Sequence, residues 1–205
     1  MANEHAPFEL MTGPCEVWVS PDLEETVPGM GTTVSGDWVL LGENGEDNIT
    51  EEGVTVELSA TKATFTPFSK TLATKVWNTN EEQHVRFTLA DDKVTPMAYA
   101  LNGQSVTTTP ADMTTVGNKS IQLTQGLNVT EYSLLIRFDK SPYGLGGVGG
   151  GAIWRQQYYF PRVYQAGSVA KVYVKGTPAA LAFDFMVLAS TTEPKLMQVH
   201  AAATG

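Results

Sequence analysis

The residue types able to do nucleophilic, acid–base or metal chemistry are few and scattered. His5, His84 and His200 fall in an arm, a strand and a polar tail, without the local spacing of a ligand pair such as H-E-x-x-H. The acid pairs Glu24-Glu25, Glu46-Asp47, Glu51-Glu52 and Asp91-Asp92 sit in turn-like or cap-like sequence, where water solvates both carboxylates. A general acid/base pair needs contrasting environments instead. Cys15 has no partner for an internal disulfide and reads as a small buried residue at the start of a strand. Gly144 to Gly149 satisfies G-x-G-x-x-G, but a dinucleotide site needs a helix N-terminus next, facing the pyrophosphate. The continuation AIWRQQYYFPRVY is a strand. The chain therefore reads as a non-enzyme, with no catalytic residue, no cofactor and no metal site.

Composition narrows the class further. With 205 residues, 42% hydrophobic and 17% charged, the chain can bury a core without staples. Its net charge of −9 is unevenly spread: residues 1–57 hold thirteen acids and no Lys or Arg, while residues 58–205 hold nine acids and thirteen bases. That distribution excludes a phosphate-neutralising basic stripe and suits head-to-tail contact between unlike surfaces. The N-terminus lacks a basic region followed by an apolar run, and no stretch reaches the about 18 apolar residues that cross a bilayer. Synthesis in the cytoplasm without membrane insertion is expected.

The elements that would position any site come from periodicity. Thr50 to Leu101 is the organising stretch, read as three strands and a helix. Val54, Val56 and Leu58 alternate with Thr55, Glu57 and Ser59, giving one buried and one polar face. Lys70 to Asn78 is a second, weaker strand with Leu72 and Val76 on one face. In the third, Val85, Phe87 and Leu89 oppose His84, Arg86 and Thr88. Val94, Met97, Ala98 and Leu101 then make a helical stripe, capped by the Asp91-Asp92 region or by Thr95 and closed by Asn102-Gly103. Elsewhere, strands are predicted around 14–20, 37–42, 120–124, 131–139, 153–164, 169–175 and 179–189. Tyr132, Leu134, Ile136 and Phe138 share one core face, and Leu181, Phe183, Phe185 and Val187 share another. Pro161 demands a bulge or an edge. Residues 21–36, longer than ordinary connections, read as a functional or mobile loop. The whole is α+β, mainly β, with antiparallel sheet, in one domain over 1–205: an N-terminal arm (1–13), a Gly-rich loop (141–151) and a polar C-terminal tail (190–205).

Several phrases, taken in order, resemble the major tail tube proteins of long-tailed, siphovirus-like bacteriophages. They are GPCEVWVSP, DWVLLGENGEDNITEEGVTVELS, FTLADDKVTPMAYALNG, RQQYYFPRVY and LAFDFMVLAS, and they span most of the chain. The resemblance implies an antiparallel β-sandwich or barrel-like core with one flanking helix, long loops and terminal arms. It implies six-membered rings stacked into a hollow virion tube that conducts DNA without binding it specifically. It also implies tape measure, tail terminator and distal tail proteins as further partners. The alternative is a soluble β-sandwich binding module, carbohydrate-binding or adhesive, with Trp38, Trp77 and Trp154 as its platform.

Strand faces then nominate surfaces. A DNA conduit should be net acidic, so Thr55, Glu57, Ser59 and Thr61, with His84, Arg86 and Thr88, are expected to face the lumen; Arg86 opposes that trend unless paired. Gly144, Gly146, Gly147, Gly149, Gly150 and Gly151 are expected in a contact between subunits. The acidic turn of Glu46, Asp47, Glu51 and Glu52 is expected to meet Lys171 and Lys175, on one strand face, with Arg155 or Arg162 nearby.

Overall fold

The computed structural model describes residues 15–43, 48–90, 93–141 and 153–198. Its body is one nine-stranded antiparallel sheet. Seven strands lie in the order β2 (Val39–Glu43), β1 (Cys15–Ser20), β7 (Glu131–Ser141), β8 (Ile153–Gln165), β10 (Thr177–Val187), β4 (Lys75–Leu89) and β3 (Ile49–Phe65). β9 (Lys171–Val174) adds to β10, and β11 (Lys195–Gln198) adds to β8. A separate ribbon pairs β5 (Thr107–Thr109) with β6 (Asn118–Ser120).

The sheet curls until its ends meet, which makes the core barrel-like. A Cβ on Gly42 in β2 would lie 2.7 Å from Leu89 in β4 and 3.0 Å from Ile49 in β3, so glycine is what lets these strands close. Alternation supplies the interior: Val17, Val19, Val85, Phe87, Leu134, Ile136, Leu181, Phe183 and Phe185 form one buried cluster. Phe87 stacks on Phe183 at 4.9 Å, and Tyr132 meets Phe185 edge-on at 6.4 Å. Leu41 joins the cluster where β2 shifts register against β1.

The helix α1 (Val94–Ala100) flanks this cluster with Met97, Tyr99 and Ala100. Lys93 occupies its N-cap without a side-chain capping hydrogen bond, so Thr95 is inside the helix and does not cap it; Asp91 and Asp92 lie outside the described residues. Pro96 in the first turn removes an N–H that has no helical acceptor there. Asn102 and Gly103 close the helix at φ 66° and 71°, and the Gly103 N–H reaches the Ala98 carbonyl at 2.9 Å.

Three expectations change. The strands expected at 70–78 and 82–89 are one continuous strand, β4, and Leu72 is in no strand. The polar run between them stays extended because Asn78 donates to Glu81 at 2.7 Å, Asn80 donates to Glu82 at 2.8 Å, and Thr79 donates to the Thr61 carbonyl at 3.1 Å. The polar tail contains β11, which pairs with Gln156 to Tyr159 along the edge of β8 opposite β7. Residues 21–36 pack against the sheet, held by buried polar groups described below. Pro161 does sit at a bulge: Tyr132 pairs with Val163 and Leu134 with Phe160, and across β8 it falls between the segments paired to β11 and β10.

Candidate functional site

The β3–β4 hairpin carries the residues singled out on its polar face. Register places Thr55 opposite Arg86 and Glu57 opposite His84, while Ala182 and Asp184 of β10 lie opposite Thr88 and Arg86. Ser59 and Thr61 continue this face opposite Glu82 and Asn80. Val54 and Val56 pack against the core on the other face. Thr55, Glu57, Ser59, Thr61, His84, Arg86 and Thr88 are thus together on the non-core face, as alternation requires.

Asp184 organises the charges there. One of its oxygens is 2.8 Å from His84 Nδ1, and the other is 3.2 Å from Arg86 Nε. Arg86 also pairs with Glu57. Hydrogen bonds to Asp184 first, then Glu57, hold the guanidinium above the ordinary arginine range. Arg86 is therefore paired, and two acids answer one permanent cation. A concavity of about 450 Å³ opens beside it, between Glu52-Gly53 in the β3 irregularity and Gly167-Ser168 in the facing turn. Cys15 is buried at the strand start, and burial pushes its thiol up to about 11, away from thiolate chemistry.

Beyond residue 57 the hairpin leaves the core and becomes an arm exposed on both faces. Leu58, expected with Val54 and Val56 as buried, is 66% exposed because no described residue covers the hairpin at that height. Phe65, Phe68, Leu72, Val76 and Trp77 are exposed further out. Among the described residues β3 pairs only with β4, so its outer edge presents backbone donors and acceptors that no described strand pairs over the arm.

The proposed contact residues separate. Glu51 and Glu52 are exposed where β3 shifts register against β4. Glu46 and Asp47, and Gly144, Gly146, Gly147, Gly149, Gly150 and Gly151, lie outside the described residues. Lys171 is in β9, its ammonium 5.7 Å from the Tyr173 ring, whereas Lys175 lies beyond the strand in the turn with Gly176. The two lysines do not share a strand face, because β9 ends at Val174. Arg155 reaches Asp139 at 3.3 Å, and Arg162 grips Glu131 with two nitrogens. Of the tryptophan platform, Trp38 and Trp154 are both buried and only Trp77 is open.

A buried polar system on the outer side of β7 and β8 had no counterpart in the sequence reading. Arg137 is 1% exposed; its Nε donates to Gln157 at 2.8 Å, and its two Nη atoms donate to the carbonyls of Thr32 and Gly29 at 2.9 and 3.0 Å. Gln157 donates to Pro28 at 3.0 Å, Ser133 to Asp22 at 2.8 Å, and Tyr159 to Glu25 at 2.9 Å. Residues 21–36 are thereby pinned over Leu135, Tyr159 and Trp38, a second small core. The available signal was Leu134-Leu135-Ile136: three consecutive apolar residues mark a strand covered on both faces.

No protein-family model matches the chain, and no curated protein matches it in sequence. Among solved structures, one described as "Crystal structure of Hcp protein" is similar at 8% identity, covering 92% of this chain and 100% of that one with a TM-score of 0.32. A similarity of that size carries no argument, and the functional reading rests on the chain's own residues.

Proposed function

We propose that this chain is a structural subunit that closes into six-membered rings and stacks them into a hollow tube, the DNA conduit of a long-tailed phage. The observation that carries the reading is the β3–β4 arm. It bears Leu58, Phe65, Phe68, Leu72, Val76 and Trp77 in the open beside a strand edge that no described strand pairs. An isolated soluble domain protects such an edge and covers such a patch; a polymerising subunit uses both on its neighbours. Unlike surfaces in contact make a heterologous assembly that can repeat along an axis. The ordered phrases resembling tail tube proteins support the six-fold ring, the virion location, and the tape measure, terminator and distal tail partners.

The non-core face fits the lumen in this reading. Its one arginine among the nominated residues is bound by Glu57 and Asp184, so it offers little free cation to phosphate.

Negative-stain microscopy and light scattering of the purified full chain test the proposal. The parent chain should form rings or tubes, and the double substitution Phe68→Asp with Leu72→Asp should leave a folded monomer that does not polymerise. A parent chain that stays monomeric at high concentration refutes the reading. Normal tubes from the double variant remove the arm from the contact.

A further inference from the structure

On the outer side of the sheet, at the start of β8 and the end of β7, lies a pocket of about 190 Å³ that nothing above uses. Arg137, Lys140 and Trp154 form its base and one wall, with Thr32, Thr33 and Glu16 around them. Two cations attend one indole: the Arg137 guanidinium carbon is 5.9 Å from the Trp154 ring centroid, and the Lys140 ammonium is 4.7 Å from it.

The charge of Arg137 is buried against neutral groups. Among the described residues its three hydrogen bonds go to an amide oxygen or to backbone carbonyls, and each Nη uses one of its two N–H groups in them. Burial lowers the arginine's pKa, and the nearby Glu16 charge opposes that shift without reversing it. Among the described residues, Glu16 is the one carboxylate lining the pocket. It accepts from Trp18 Nε1 at 3.0 Å and stands 3.9 Å from Lys140, both of which also line the pocket, so it answers Lys140 and leaves Arg137. Two cations against one acid leave the pocket net positive in a chain of net charge −9.

We infer that this pocket receives a carboxylate side chain from a second copy of the chain. The complementarity is in the sequence: residues 1–57 of every copy carry thirteen acids without one Lys or Arg, and Glu51 and Glu52 among them are exposed. A planar carboxylate matches the two remaining N–H groups of a guanidinium, and Lys140, exposed at the mouth, supplies the steering charge. The choice of a second copy as the source rests on the self-assembly proposed above; the carboxylate pocket itself does not.

The test uses the full chain, diluted below its assembly threshold, with the Trp154 indole N–H followed by NMR and assigned through Trp154→Phe. Tetraglutamate, tetraglutamine and acetate are the probes. Tetraglutamate should shift the indole signal saturably and tetraglutamine should not. K140E should weaken tetraglutamate binding about tenfold and slow assembly, and K140R should restore both. Lys140 is more than half exposed, so K140E leaves the fold intact. No tetraglutamate shift from a chain that polymerises overturns the pocket while the tube reading stands. A monomeric parent that binds tetraglutamate through Lys140 overturns the second copy as the source and leaves the pocket. Acetate saturating at the same concentration as tetraglutamate, with K140E assembling at the parental rate, replaces the second copy by a free small carboxylate.

Discussion

β7 and the outer half of the β3–β4 hairpin are built from the same kind of extended chain and meet opposite fates. β7 is covered on both faces: Tyr132, Leu134 and Ile136 enter the main core, while Ser133, Leu135 and Arg137 are buried beneath residues 21–36. The arm beyond residue 57 is covered on neither, although it carries comparable apolar side chains. Strand formation and burial are therefore separate events in this molecule. The strand is set by pairing with its neighbour; burial needs a further layer, which β7 receives from its own chain and which no described residue supplies to the arm.

Substitutions along the two regions should separate accordingly. The largest effect is expected for Leu134→Ala in β7, which empties a fully buried site and should cost about 2–5 kcal/mol in urea denaturation. Arg137→Gln comes next, at about 1–3 kcal/mol, because it strips donors from the buried carbonyls of Gly29 and Thr32. It should also speed cleavage at Glu24 and Glu25 by a glutamyl endopeptidase, as residues 21–36 lift away; unchanged cleavage would show that the apolar contacts of Trp38 alone hold the segment.

At the edge of β7, Arg162 holds the Glu131 carboxyl below its ordinary value of 4.5 through a paired hydrogen bond. A depressed carboxylate contributes stability above its unfolded pKa and loses it as pH falls through its folded one. Glu131→Gln should accordingly destabilise near pH 7 and flatten the acid limb below about pH 4.5. With both partners partly exposed the effect should stay under about 1 kcal/mol. The smallest effect belongs to the arm: Val76→Ser should change monomer stability by no more than about 0.5 kcal/mol, in contrast to Leu134→Ala inside β7. A larger loss would mean that the arm is packed in solution.

Much of the molecule was determined by local pattern alone. The period-2 alternation at Val85-Phe87-Leu89, Tyr132-Leu134-Ile136 and Leu181-Phe183-Phe185 names core strands, since one buried face imposes that spacing wherever the strand lies. The helix stripe, the Asn102-Gly103 closure and the Pro161 bulge are equally local, each following from backbone sterics within a few residues. The polar face of β3 and β4 is legible for the same reason.

Only tertiary structure decided which strands meet and how far the cover extends. Thr79 to Glu81 reads as a break until pairing with β3 supplies its hydrogen bonds, and Leu58 reads as core until the sheet is seen to leave the body below it. Arg137 alternates like a surface residue, yet it is buried because Gly29 and Thr32 return from more than a hundred residues away to accept its hydrogen bonds. Asp184 meets His84 and Arg86 by a register fixed between strands a hundred residues apart. Periodicity reports the environment along one strand, whereas charge pairing and burial on the second face depend on what folds across it, and that partner has no local signature.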